Sequence, residues 1–272
     1  MSDFLQQMAV SSAGRASRIG RRFTAADLDR PLYPLALRGF DLIAEIKDRS
    51  PAEGELGRSN GRRGERAAQY ARGGAAAISV LTEPDHFAGT LEHLREVVDV
   101  LDGQGVPVMR KDFLVDPLQV LEARAAGASG VLLIAAILSD EQLASMLDCA
   151  WEHSLFVLLE SFDRKDLQRS VRLLDADRHL QKARSGQLLF GINSRDLRTL
   201  DVDKNRLQEL APLMPEGSVH VAESGMYSAA DAAAAAGWGY AMALVGTALM
   251  RSERPDELIR DMLAAGRQKV AA

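Results

Sequence analysis

The chain has 272 residues and a formal net charge of −5, with 47% hydrophobic and 26% charged residues, the profile of a globular protein with ample core. That balance leaves no electrostatic footprint for nucleic acid, no apolar run reaches the ~18 residues of a membrane span, and the N-terminus lacks the apolar stretch of a signal peptide. A single cysteine, Cys149, cannot close an internal disulfide and fits a cytoplasmic setting; it falls in a helical pattern as a packed small residue.

Residues 1–40 read as a short helical extension. Phe4 to Met8 suits a helical turn, and Thr24-Ala25-Ala26-Asp27-Leu28 is a helix start with Thr24 as cap. Arg18, Arg21 and Arg22 read as a solvated helix face rather than an anion site. From residue 41 to 272 the pattern alternates. Strand-like runs fall near 41–47, 76–82, 106–111, 130–135, 155–160, 188–193, 218–223 and 241–246. Helical patterns fill the gaps, several with explicit start signals. Pro117 follows Asp116 at a first helical position. Ser139-Asp140-Glu141-Gln142 is a capping box. Asp163 and Ser228 can cap the helices after them, the second being alanine-rich helix material.

Repeated βα units imply a parallel sheet. Eight of them, with no glycine-rich dinucleotide turn after the first strand, favour a single-domain (β/α)8 TIM barrel over an open doubly wound sheet. Barrels of this kind carry chemistry at the C-terminal ends of their strands, and polar residues collect there. The first strand offers Glu45 and Lys47, two apart and therefore on one side. The third offers Lys111, the fifth Glu160 and the seventh Glu223. The sixth offers Asn193 and Arg195. A charged amine where a buried strand surfaces pays desolvation unless it has a partner or a task. Small-residue turns follow the last two strands, at Ser224-Gly225 and Gly246-Thr247. Loops at that position commonly hold phosphate through backbone N–H groups. No metal centre is expected: His86, His93, His153, His179 and His220 show no ligand spacing, and most read as surface or helix-end residues. His220, inside a strand, reads as a satisfied core histidine.

With these residues assembled, the chain resembles the indole-3-glycerol phosphate synthase family over about residues 40–262. The resemblance lies in Ile43-Ala44-Glu45-Ile46-Lys47 with Ser50-Pro51, and in Ile78-Ser79-Val80-Leu81-Thr82-Glu83 with Phe87 and Gly89. It continues in Arg110-Lys111-Asp112-Phe113, Gly191-Ile192-Asn193-Ser194-Arg195-Asp196-Leu197 and Ala222-Glu223-Ser224-Gly225. It ends in Val245-Gly246-Thr247-Ala248-Leu249-Met250-Arg251.

The resemblance implies ring closure, decarboxylation and dehydration of 1-(2-carboxyphenylamino)-1-deoxyribulose 5-phosphate, a phosphorylated small-molecule substrate, with no metal or cofactor. It implies Lys111 as general acid at the ketone oxygen, Lys47 at the substrate carboxylate and Glu160 as general base. Glu45 and Glu223 would order lysines and hydroxyls, with Asn193, Arg195 and Ser50 near the substrate. Phe87, Phe113 and Leu133 would wall the anthranilate ring. Ser224, Gly225, Gly246 and Thr247 would hold the phosphate. Burial beside a second cation lowers a lysine's pKa, which would bring Lys111 toward operating pH. The lysines and carboxylates form a coupled network, however, in which sequence alone assigns no single titration.

Four stretches depart from the family pattern. Asp48-Arg49 follows Lys47, placing a bulky side chain and a negative charge beside the expected ring site. The 54–65 loop is rich in glycine and arginine (Arg58, Arg62, Arg63) and reads as a solvated loop. Ser161-Phe162 follows Glu160. Residues 175–186 make a long connection on the barrel's N-terminal face. These suggest a divergent member, and a substituted anthranilate adduct is the alternative substrate. A non-catalytic phosphate-binding barrel is a second alternative, though a binder needs no lysines beside three glutamates. No appendage demands a partner chain, so a monomer is expected.

Overall fold

A computed structural model describes residues 4–20, 22–51, 53–56, 63–197, 201–203 and 205–270; Arg21, Arg58 and Arg62 lie outside them. Eight strands close a barrel: β1 (Asp41–Ile46), β2 (Ala77–Leu81), β3 (Val108–Lys111), β4 (Gly130–Ile134), β5 (Phe156–Ser161), β6 (Leu188–Asn193), β7 (Val219–Glu223) and β8 (Met242–Val245). Each pairs in parallel with its neighbours in sequence, and β8 pairs with β1 to shut the ring. The eight strands lie within a residue or two of the runs expected from hydrophobicity.

The period of two along each strand divides the apolar residues into two layers. Leu42, Ala44, Ile78, Val131, Leu133, Val157, Leu159, Phe190 and Ile192 face outward against the helices. Ile43, Met109, Leu132, Ile134, Leu158, Leu189, Val221, Met242 and Leu244 face inward. Burial on both faces explains why the strands read as continuous apolar runs rather than alternating ones.

The helix starts follow the local chemistry. Asp116 and Ser139 make complete capping boxes with Gln119 and Gln142, and Ser228 makes one with Asp231. Asp163 caps Arg164–Arg172 through the Asp166 N–H. Thr24 Oγ1 accepts from the Asp27 N–H at 3.3 Å before the short 3-10 turn Ala26–Leu28. Each such cap satisfies backbone N–H groups that would otherwise be orphaned.

The N-terminal helix runs from Phe4 to Ala16, well beyond the single turn expected. It lies across the C-terminal rim of β2 to β4. Leu5 and Met8 join the inner apolar cluster with Phe113, Ile134 and Phe162, and Phe4 meets His86 and Phe113 edge-on. Arg18 and Arg22 are exposed, as a solvated face requires.

The 175–186 stretch is not a bare loop. It folds as a 3-10 turn, Leu173–Asp175, and a helix, Asp177–Arg184, that delivers the chain to the start of β6. Its anchor is His179, in the first turn of that helix, among the histidines expected at the surface or at a helix end. His179 is buried, and Trp151 Nε1 donates to its Nδ1 at 3.2 Å. That bond needs an unprotonated Nδ1, and burial pulls the imidazole below its ordinary pKa. A histidine held neutral in the fold but free to protonate when unfolded makes stability fall as pH drops below about 6.5. The thermal midpoint should therefore decline between pH 7.5 and 5.5, and His179→Gln should flatten part of that decline; an unchanged slope would refute the assignment.

His220 is satisfied as expected, its Nε2 lying 2.9 Å from the Pro215 carbonyl and 3.1 Å from Ser218 Oγ, but it is half-buried at the start of β7 rather than in the core. Cys149 is half-buried. Burial, then Glu152 and Asp116, push its thiol up to about 11, which leaves an inert thiol at neutral pH.

Candidate active site

In a barrel of eight parallel strands, alternate strands contribute the four side chains of each interior layer. The layer at the C-terminal end takes Glu45 from β1, Lys111 from β3, Glu160 from β5 and Glu223 from β7. It is wholly charged, and its three carboxylates are buried. Lys111 Nζ donates to Glu160 Oε2 at 3.2 Å and lies 3.7 Å from Glu223 Oε2. Lys47, just past β1, pairs with Glu45 Oε1 at 2.6 Å. Two ammonium groups thus stand among three carboxylates at the floor of one cleft.

The titration of this layer runs against the expectation for Lys111. Burial is the largest single influence and favours the neutral amine. Glu160, Glu223 and Glu45 together outweigh it, and the ammonium is held above the usual lysine range. Glu223 is raised well above the carboxylate range, by burial first and then by the neighbouring charge of Glu160. Neither Glu223 oxygen accepts a hydrogen bond among the described residues. The expectation rests on a second cation, but the groups that act on Lys111 are the carboxylates of Glu160, Glu223 and Glu45, and no cation is among them.

The loop after β3 is held rigid by a buried ionic knot. Asp112 Oδ1 accepts from the Phe113 N–H at 2.8 Å and from Arg15 at 2.5 Å. Its Oδ2 accepts from Thr82 Oγ1 at 2.8 Å and Arg110 at 3.1 Å. Arg110 also donates to Glu122 and to the Gln119 carbonyl. No buried side-chain nitrogen or oxygen of Thr82, Arg110 or Asp112 is left without a partner, as a buried charge requires. Lys111 and Phe113 flank Asp112 and inherit its fixed position. The N-terminal helix takes part through Arg15.

The cleft wall above the charged layer is apolar. Phe87 and Phe113 face each other with ring centroids 6.1 Å apart, and Leu81, Leu132, Ile134, Leu197, Met226 and Leu244 complete the lining. Phe87 is set by a local device. The buried carboxylate of Glu83 accepts from the N–H groups of Asp85, His86 and Phe87, capping the short helix Pro84–Phe87. Leu133 does not belong to this wall. It faces the outer helices, and its neighbours Leu132 and Ile134 take the place expected of it, because adjacent strand residues point to opposite faces.

On the opposite side Asn193, Arg195, Ser224, Gly225, Gly246 and Thr247 line the same cleft. Asn193 Oδ1 accepts from the Arg195 N–H at 2.9 Å. Ser224 and Gly225 both have left-handed backbone, with φ of 64° and 73°, so this turn needs a glycine or a strained substitute at each step. Glu160 is the one expected catalytic residue that sits below the lining, reached through Lys111.

Two residues thought to crowd the ring turn away from the cleft. Asp48 pairs with Arg63 at 2.7 Å. Arg49 donates to the carbonyls of Asp85 and His86, clamping the loop after β1 to the loop after β2. Phe162 is buried in the inner apolar cluster beside Leu5 and Met8. One lining residue had no signal in the sequence. Glu53, in the hairpin formed by Arg49–Ser50 and Gly54–Glu55, enters the cleft wall and pairs with Arg251 at 2.7 Å, with Arg195 at 3.9 Å. Its loop carries no periodicity, so its direction was not legible. Among the described residues no group of histidine, cysteine and carboxylate side chains could hold a metal ion.

The family model for indole-3-glycerol phosphate synthase matches residues 25–262. The chain belongs to the indole-3-glycerol phosphate synthase family. Relatives of that name include one from Nocardioides sp. (strain ATCC BAA-499 / JS614), 41% identical over 89% of this chain and 88% of its own. Another, from Methanopyrus kandleri, is 42% identical over 84% of this chain and 85% of its own. Among solved structures, 3-hexulose-6-phosphate synthase from Salmonella typhimurium superposes with a TM-score of 0.59 at 13% identity, covering 84% of this chain and 99% of that one. At that identity the likeness speaks for the shared barrel alone. The N-terminal helix Phe4–Ala16 precedes the part that the family model matches.

Proposed function

We propose that this chain is an indole-3-glycerol phosphate synthase of tryptophan biosynthesis and that the charged layer performs its acid–base steps. The observation that carries this reading is the placement of Lys111 between Glu160 and Glu223, one side chain away from the Lys47–Glu45 pair, under an aromatic wall.

In this reading the anthranilate ring of the substrate packs between Phe87, Phe113, Leu132 and Ile134. Lys47 holds its carboxylate. The ring carbon that bears the carboxylate attacks the ketone carbon, and the new C–C bond pushes an electron pair onto the ketone oxygen. Lys111 supplies a proton to that oxygen. An ammonium held above the ordinary lysine range gives its proton up only to a stronger base, and a developing alkoxide is one. The proton thus meets the charge that develops on that oxygen. Loss of CO2 leaves its bonding electrons in the ring system. Dehydration then expels the former ketone oxygen as water, assisted by Lys47, while the proton lost from the adjacent carbon returns to the Lys111 amine and so reaches Glu160, its hydrogen-bonded partner below the cleft. Glu45 and Glu223 orient the two ammonium groups. Asn193 and Arg195 face the ribulose chain with Ser50, and Ser224, Gly225, Gly246 and Thr247 receive the phosphate.

The substituted-adduct alternative drew its motive from Asp48, Arg49 and Phe162 touching the ring. All three are engaged elsewhere, so the parent substrate is preferred. Within the 1–40 extension the helix Phe4–Ala16 braces the mouth of the 41–272 barrel, whereas Tyr33 reaches Ser129 just before β4, at the opposite end. The setting proposed is a cytoplasmic monomer. No helix among the described residues is long and apolar enough to cross a membrane.

The test is turnover of 1-(2-carboxyphenylamino)-1-deoxyribulose 5-phosphate by purified protein, with product indole fluorescence as the readout and light scattering for oligomeric state. Product formation is expected. Binding without product would redirect attention to substituted adducts, and neither binding nor product would refute the reading.

A further inference from the structure

We propose that Gly191 and Gly246 are positioning residues that seat the catalytic carboxylates, each by lacking a side chain where a carboxylate oxygen must lie. The inference rests on the roles given above to Glu223 and Glu45 and deepens them.

Gly191 lies on the inner face of β6, two residues before Asn193. Its φ is not in the left-handed region, so the backbone there would accept any residue. The space would not. A Cβ at this position would stand 2.1 Å from Glu223 Oε1, 3.2 Å from its carboxyl carbon and 3.0 Å from Leu158 Cδ1. The leucine methyl can give by a few tenths of an ångström. The Glu223 carboxylate is therefore the group that must shift, and it would do so inside a buried layer, away from the position that sets it 3.7 Å from the Lys111 ammonium. The missing side chain at 191 is what fixes where its carboxylate sits.

Gly246 repeats the device on the other side of the mouth. Its φ of −119° also lies outside the left-handed region. A Cβ would stand 2.2 Å from Glu45 Oε1 and 3.0 Å from Lys47 Nζ. A backbone N–H can meet a phosphate from any residue, so phosphate binding does not by itself call for glycine here. The Glu45–Lys47 pair does. The two glycines lie in the interior layers below and above the charged one, where ordinary barrel residues would be bulky and branched.

The test is a double-mutant cycle in the full-length chain, since residues that share one contact do not contribute additively. G191A should lower kcat about 10²-fold, the effect of displacing a catalytic group by about 1 Å, with KM changed less than about threefold. E223A should also lower kcat. The double variant should be no worse than E223A within about threefold, because a carboxylate that is absent cannot be displaced. Parental kcat in G191A, or a double variant that loses the product of both single losses, would overturn the seat. Parental kcat in E223A would overturn the role of Glu223 itself, a distinct result. If G191A fails to fold, removal of the clashing carboxylate in the double variant should restore a thermal midpoint near that of E223A; failure to restore it counts against the proposal. For Gly246, G246A should lower kcat about 10²-fold, and the double variant G246A/E45A should be no worse than E45A within about threefold. A double variant that loses the product of both single losses would return that glycine to the phosphate site alone.

Discussion

Lys111→Ala is expected to lower kcat by about 10³-fold, within the 10²–10⁴-fold range of a positioned general acid, with substrate still bound. The variant removes the only ammonium within ion-pair reach of Glu160 among the described residues. Two effects should separate. The first is chemical: the ketone oxygen loses its proton source, and indole fluorescence should show almost no product. The second is structural. Removing one partner of a buried ion pair costs about 3–5 kcal/mol when the other charge stays. Here part of that cost is avoided, because burial and Glu160 already favour the protonated form of Glu223. A modest drop in thermal midpoint is expected, smaller at pH 6 than at pH 8, since lower pH supplies the proton that neutralises Glu223. Lys111→Arg distinguishes acid from charge. It keeps the cation but not a readily transferred proton, and its kcat should still fall at least about 10²-fold. Near-parental turnover in Lys111→Ala would remove the residue from the mechanism.

How far the sequence revealed this site depends on which physical signal each residue carries. Strand ends are legible because a lysine or glutamate terminating an apolar run is costly and conspicuous. Lys47, Lys111, Glu160 and Glu223 are found that way, and Glu45 by its spacing of two from Lys47; Glu45, Lys111, Glu160 and Glu223 form one layer because they fall on odd strands. Facing is not legible in Val131-Leu132-Leu133-Ile134. Both faces of that strand are buried, so hydrophobicity does not alternate and Leu133 was placed on the wrong side. The directions of Asp48 and Arg49 were equally hidden, since they depend on Arg63 and on the carbonyls of Asp85 and His86, partners 15 to 37 residues away. The same holds for Arg15, which reaches Asp112 across nearly a hundred residues. Local chemistry, by contrast, read well: the caps at Asp116, Ser139, Asp163 and Ser228 are contained within four residues each.

Glu160→Gln should lower kcat about 10²–10³-fold while leaving KM within about threefold. The amide keeps the shape and one acceptor oxygen, so Lys111 retains a partner and the barrel should fold as before. What is lost is the charge that accepts a proton. That charge also raises both neighbours: it is the strongest of the carboxylate influences on Lys111 and the leading charge acting on Glu223. Its removal should let both pKa values fall, Lys111 toward the ordinary lysine range and Glu223 toward the ordinary carboxylate range. The kcat–pH profile should change shape as well as height, because its acidic limb reports the coupled carboxylates rather than any one of them. Profiles recorded from pH 5 to 9 for the parent and the variant would show this. A lowered but parallel profile would mean that another carboxylate, Glu223 or Glu45, takes the proton and that Glu160 serves mainly to hold Lys111. A profile both lowered and reshaped is what a general base at the centre of a coupled layer requires, and it would tie the proton's path to the two carboxylates that share one ammonium.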